Sequence, residues 1–198
     1  MTEPGDITIA SYDAAAGLYA EQVAAPSPVV RAWLDHVAET IGSGHVLELG
    51  SGPGHQALDL EAHGLRVTRT DATPAFIAML RAAGHEAGLL DMRTDDLGGP
   101  YDAVFANASL LHLNRDQFAA LLTRAHAAVV AGGVLAFTVK EGDGDEWHER
   151  KLGVPRHFTY WREQPVREVL ARTGWQVVEL EHVAGATEPW LYVIARAA

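Results

Sequence analysis

A strand that runs straight into closely spaced glycines constrains this chain most. Val46 to Gly54 reads VLELGSGPG, an apolar run with one internal acid, Glu48, broken by Gly50, Gly52 and Gly54 before a helical pattern begins. Such a turn lets a ligand approach bare backbone amides at the positive end of a helix. The next apolar run, Leu65 to Thr70, ends in Asp71. An acid about 20 residues beyond the first glycine is where a nucleoside ribose is held in strand-turn-helix folds of this kind.

The glycine spacing narrows the ligand. A dinucleotide fingerprint places a third glycine where this chain has His55, and a phosphate-cradling loop would contain a G-K-[ST] sequence that is missing here. A nucleoside site without phosphate recognition remains. ELGSGPG resembles the first motif of the class I S-adenosylmethionine-dependent methyltransferases, and the resemblance runs from about Tyr12 to the C-terminus.

Beyond the loop the chain alternates strand and helix, the pattern of right-handed crossovers and a parallel sheet. The sequence therefore predicts an α/β fold, a Rossmann-like three-layer sandwich. Its sheet is seven-stranded and mostly parallel, and it ends in an antiparallel C-terminal hairpin formed by Trp175 to Val183 and Trp190 to Ala195. The 198 residues fit a single domain. Its expected parts are an N-terminal helical lid over 1–42, a cofactor-binding core over 43–198, and a variable substrate loop over 141–160.

The resemblance implies roles for particular residues. Ser11 stands as a possible cap for a first helix in which Tyr12 and Tyr19 match a lid that closes over the cofactor; core packing of both rings is the competing reading. Glu48, Gly50, Ser51 and Gly52 would bind the cofactor, with its methionine tail over Gly50 to Gly52, and Asp71 with Ala72 would take the ribose. Asp91 and Met92, after a short third strand, match the adenine-binding pair, although a turn or cap role would also suit Asp91. Asn107 ends a fourth strand where a backbone carbonyl receives the cofactor amine. S-adenosylmethionine is the cofactor implied, with S-adenosylhomocysteine as product.

Methyl transfer is an in-line displacement in which orientation counts for most, and a base helps a hydroxyl more than an amine. His112, just past the fourth strand, is the candidate catalytic base or else a wall of the pocket. Trp147, His148, His157 and Tyr160 on the variable loop are the candidate acceptor-binding residues. Asp143, Asp145 and Glu146 lack the spacing of a calcium loop, so no metal is expected. Further helices are expected after Ser27-Pro28 and after Asn114, the latter ended by Gly132-Gly133 ahead of a strand from Val134 to Val139.

A formal net charge of −11 argues against a nucleic-acid partner. No apolar run is long and clean enough to cross a bilayer, and the N-terminus lacks a secretory pattern, so a cytoplasmic location is expected. The expected function is methyl transfer to an O or N nucleophile of a small molecule or peptide; the sequence leaves the oligomeric state open. Two other classes share parts of the pattern. An NAD-dependent oxidoreductase would want the glycine at His55, and a non-catalytic methyltransferase-like binding module would have less need of Glu48, Asp71 and the glycines, all of which are present.

Overall fold

The computed structural model describes residues 3–23 and 26–198. Met1, Thr2, Ala24 and Ala25 of the expected lid lie outside the described residues. Five strands follow one another in parallel: β1 (His45–Leu49), β2 (Arg66–Asp71), β3 (Ala87–Leu89), β4 (Tyr101–Ala106) and β5 (Val129–Lys140). A separate two-stranded ribbon comes next, β6 (Asp145–His148) against β7 (Arg156–Thr159). The chain returns to the sheet in β8 (Trp175–Val183) and β9 (Trp190–Ala197), with β9 antiparallel to both β5 and β8.

The sheet order is β3-β2-β1-β4-β5-β9-β8, so the strand order reverses between β1 and β4. Ligands bind at the carboxyl edge of such a reversal. The expected seven strands and antiparallel hairpin are both present.

Seven α-helices are described: α1 (Pro4–Ala14), α2 (Ala16–Gln22), α3 (Pro28–Ile41), α4 (His55–Ala62), α5 (Pro74–Ala82), α6 (Arg115–Ala128) and α7 (Glu163–Arg172), with a short 3₁₀ turn at Leu110–His112. Strand side chains alternate between two cores. Val46 and Phe105 face one core with Trp33, Leu34 and Val37 of α3, whereas Leu47 and Val104 face the other with Phe118, Leu122 and Leu170. Among the described residues no helix is long and apolar enough to cross a membrane.

Helix starts follow local chemistry. Ser27 Oγ accepts from Val30 N ahead of Pro28, and Asn114 with Gln117 forms a reciprocal capping box.

Three expectations need correction. Ser11 caps nothing: the helix begins at Pro4, whose fixed φ suits a first turn, and Ser11 Oγ instead donates to Pro155 O at 2.6 Å. Gly132-Gly133 lie inside β5, because α6 ends at Ala128 and the strand starts at once. Gly132 has φ 73°, and the register against β4 shifts beside it. The variable loop is largely the β6–β7 ribbon. The helix after Ser27-Pro28, α3, packs on the sheet through Trp33, Leu34 and Val37, as its apolar stripe implies, which leaves α1 and α2 over the carboxyl edge.

Candidate active site

The loop after β1 is shaped by contacts to β2. Gly50 N and Ser51 N both donate to Thr70 O at 2.9 Å, and Thr70 N donates back to Ser51 Oγ at 3.1 Å. Asp71 completes the clamp, its carboxylate accepting from Gly52 N at 2.9 Å and Thr73 N at 2.8 Å. Burial pushes the Asp71 carboxyl up while these N–H donors pull it down. Gly50 is required on two counts: its φ is 78°, and a Cβ there would stand 2.5 Å from Ser109 Cβ.

An open cleft lies against this loop. Tyr12, Tyr19, Gly50, Gly52, Asp71, Ala72, Asp91, Met92, Asn107 and His112 all line it. Glu48 and Ser51 do not. Glu48 sits behind the loop, where burial raises its pKa to about 7 and leaves Oε2 without a hydrogen-bond partner. Ser51 is spent on holding the loop to Thr70.

Sequence reasoning missed one wall of the cleft, formed by Gly5, Thr8 and Ile9 of α1. The signal was available, since Gly5, Thr8, Ile9 and Tyr12 recur at the spacing of one helical face after Pro4. This helix is also anchored by hydrogen bonds to two other segments. Asp13 Oδ1 accepts from Ala75 N at 2.8 Å, and Thr8 Oγ1 accepts from His157 N at 3.1 Å.

Asp91 borders the cleft with its carboxylate already engaged. It accepts from Arg93 N at 2.9 Å and from the Arg93 guanidinium at 2.7 to 3.1 Å, and Arg93 reaches on to Asp6 at 2.7 Å. Against the burial that would raise it, Arg93 holds the Asp91 carboxyl below its ordinary range. The turn role and the wall position coexist. Asn107 is oriented by Thr138, whose hydroxyl donates to Asn107 Oδ1 at 2.8 Å and accepts from Ala108 N at 2.9 Å.

His112 is held on both nitrogens. Nδ1 lies 2.7 Å from His157 O, which can only accept, so Nδ1 carries the proton and Nε2 offers its lone pair to the Tyr12 hydroxyl at 3.0 Å. Arg156 Nη1 in turn donates to that hydroxyl at 3.3 Å. Burial, with the positive charges of Arg156 and Lys140, pushes the His112 pKa down to about 3. The ring is neutral at physiological pH.

The four loop residues expected beside His112 do not share its cleft. Trp147 is half-exposed and meets the His157 ring at 5.2 Å; His157 Nε2 pairs with Asp145 at 2.9 Å. His148 stacks on Phe158 at 4.0 Å, and Tyr160 donates its hydroxyl to Glu146 at 2.5 Å in a separate acid-lined cleft. Strand parity is the reason for His157 and its cross-strand partner Trp147, whereas His148 lies across from Arg156 and is stacked on Phe158, and Tyr160 is held by Glu146. In β7, alternate side chains face opposite ways, so Arg156 and Phe158 approach Tyr12 and His112 while the His157 side chain points away and only its carbonyl remains.

Residues 19–180 match the family model of the methyltransferase domain. The chain belongs to that family. This methyltransferase has the class I S-adenosylmethionine-dependent methyltransferase fold, as comparison with solved structures also shows. Magnesium protoporphyrin IX methyltransferase from Synechocystis PCC 6803, with bound S-adenosylhomocysteine, superposes with a TM-score of 0.77 at 13% identity, over 99% of this chain and 100% of that one. The 1,6-didemethyltoxoflavin-N1-methyltransferase of Burkholderia thailandensis, bound to 1,6-didemethyltoxoflavin and S-adenosylhomocysteine, gives 0.72 at 19% identity, over 100% and 92% of the two chains. At such identities the likeness is one of fold. Comparison with curated protein sequences finds no significant match.

Proposed function

We propose that this methyltransferase binds S-adenosylmethionine in the cleft beneath α1 and α2 and transfers its methyl group to an oxygen or nitrogen nucleophile of a small molecule or peptide. The observation that carries this reading is the convergence on one cleft of a bare Gly50–Gly52 backbone, the buried Asp71 carboxylate, and the rings of Tyr12 and Tyr19. These residues suit a nucleoside with an amino-acid tail: Gly50 excludes any side chain from the approach, and Asp71 keeps lone pairs for hydroxyl donors.

In this reading Asp71 holds the ribose, Met92 flanks the adenine with Asp91 at its edge, and the Gly50–Gly52 backbone and Asn107 receive the amino-acid tail. The cofactor supplies an electrophilic methyl group on a sulfonium. The protein's own contribution is orientation and exclusion of water, worth on the order of 7 to 11 kcal/mol when alignment is good. A base with a pKa of about 3 has little driving force at neutral pH. His112 therefore serves as a fixed acceptor that positions Tyr12 on the cleft wall.

Isothermal titration tests the reading. S-adenosylhomocysteine should bind the wild-type protein, and Asp71→Ala should weaken it by about 1 to 3 kcal/mol. Tighter binding of NADH would overturn the assignment, and cofactor binding without transfer to any acid, alcohol or amine would make this a binding module.

A further inference from the structure

One guanidinium joins the end of the cleft assigned above to adenine with the first turn of α1. Arg93 lines the cleft beside Asp91, and its side chain is only 10% exposed. Its Nε donates to Asp91 Oδ1 and Oδ2 at 3.0 and 3.1 Å, while Nη2 donates to Asp91 Oδ2 and to Asp6 Oδ1 at 2.7 Å each. Glu3 Oε2 stands 3.5 Å from Nη1. Gly5 leaves the room for this, since a Cβ there would run into Nη1. Asp6 itself is half-exposed and does not line the cleft.

This arrangement fixes what Asp91 can do. Its Oδ1 accepts from Arg93 N at 2.9 Å as well as from Nε, whereas Oδ2 has Nη2 and only a share of Nε. An ionised carboxylate offers about four lone-pair sites, so Oδ2 keeps one for a donor in the cleft. Burial would raise the Asp91 carboxyl, yet Arg93 holds it below its ordinary range, so it accepts and does not donate. The planar fork of the guanidinium also sets its direction. An amino group on a base edge meets that lone pair as a donor, and a carbonyl oxygen in the same place meets it as a second acceptor. A carboxylate free to swing could follow the ring N–H that accompanies such a carbonyl. One clamped between a backbone N–H and a guanidinium cannot.

We infer that Arg93 is the positioning residue that sets the choice of base: held between Asp91 and Asp6, it fixes Asp91 to select a base with an exocyclic amino group, and makes that selection depend on α1. This rests on the methyltransferase reading above and its placement of adenine beside Asp91. Arg93 acts through Asp91, and Asp6 acts through Arg93. The far end of the chain of contacts is firm, because α1 is anchored in turn through Thr8, Ser11 and Asp13.

The test titrates S-adenosylhomocysteine and S-inosylhomocysteine, in which a 6-oxo group replaces the amino group, into wild type, Arg93→Gln, Arg93→Lys and Asp6→Asn, read by calorimetry. Wild type should prefer S-adenosylhomocysteine by about tenfold or more, as a hydrogen bond to a charged acceptor allows. Arg93→Gln and Asp6→Asn should each cut that preference by about threefold or more, as expected of side chains coupled in one network. Arg93→Lys, a point charge that cannot fork onto both acids, should fall between Arg93→Gln and wild type. A merely structural role would weaken both ligands alike and leave the preference intact. A preference within about twofold of wild type in Arg93→Gln or in Asp6→Asn would therefore overturn the inference. Should Arg93→Gln fail to fold, Asp6→Asn, at a half-exposed position, still decides. Failure of wild type to bind S-adenosylhomocysteine would remove the methyltransferase reading itself, and equal binding of the two ligands would remove adenine from Asp91. A preference kept by the variants removes only the role of Arg93.

Discussion

The hydroxyl of Tyr12 donates to His112 Nε2 at 3.0 Å, joining the first helix to the segment after β4 across 100 residues of chain. The bond closes one wall of the cleft. It also occupies the lone pair that a catalytic base would need.

Tyr12→Phe should leave that nitrogen without its donor and cost about 1 to 3 kcal/mol in urea unfolding. Replacing both partners, as Tyr12→Phe with His112→Phe, should cost less than the sum of the single changes, because no buried polar group is then orphaned. Additive losses would mean that the two side chains do not interact in solution.

His112 should make stability depend on pH. Folded, it resists protonation down to about 3, whereas the unfolded chain takes up the proton near the ordinary 6.5. The unfolded state thus binds more protons between these values, so stability is full above 6.5 and falls as pH drops toward 3, by up to about 5 kcal/mol. Denaturation midpoints across that range should decline less steeply in His112→Phe than in wild type.

Glu48 carries the opposite sign. Its folded pKa of about 7 lies above the ordinary 4.5, so its protonated form is favoured by folding and stability is lost as pH rises from 4.5 through 7. Glu48→Gln, which mimics the protonated form, should match wild type near pH 4.5 and exceed it at pH 8, by up to about 3 kcal/mol. A stability difference independent of pH would place the charge of Glu48 in contact with water.

Gly50→Ala and Gly64→Ala separate conformation from contact. Both glycines have positive φ, 78° and 84°, but only at Gly50 would the new methyl meet an atom, Ser109 Cβ at 2.5 Å. Gly64→Ala should cost about 1 to 2 kcal/mol for the left-handed conformation alone. Gly50→Ala should cost about 1 to 3 kcal/mol more for overpacking, and should weaken S-adenosylhomocysteine in titration.

The two lid helices should differ in hydrogen exchange. Residues 4–14 are tied down through Thr8, Ser11 and Asp13 and should be protected without ligand. The seven-residue α2 buries only Ala16 and should exchange faster, gaining protection when S-adenosylhomocysteine binds beside Tyr19. Equal exchange in α2 with and without ligand would make it a fixed part of the wall.

Much was legible in the chain read by itself. The strand and glycine loop, Asp71 at the end of the next strand, the alternation that demands a parallel sheet, and the capping box at Asn114 are written in residues close together, because short-range geometry decides them. The tertiary structure decided the Tyr12–His112 side of the cleft. Whether Arg156 or His157 faces Tyr12 depends on one residue of parity in a ribbon paired only by Asp145 to His148 against Arg156 to Thr159. Both histidine and arginine suit an active site, so residue type alone could not choose between them. The low pKa of His112 was likewise out of reach. It comes from burial among Phe158, Arg156 and Lys140, whose positions about the ring are set by packing between segments tens of residues apart. Periodicity reports which face a side chain takes within its own element, and carries no information on which distant element that face will meet.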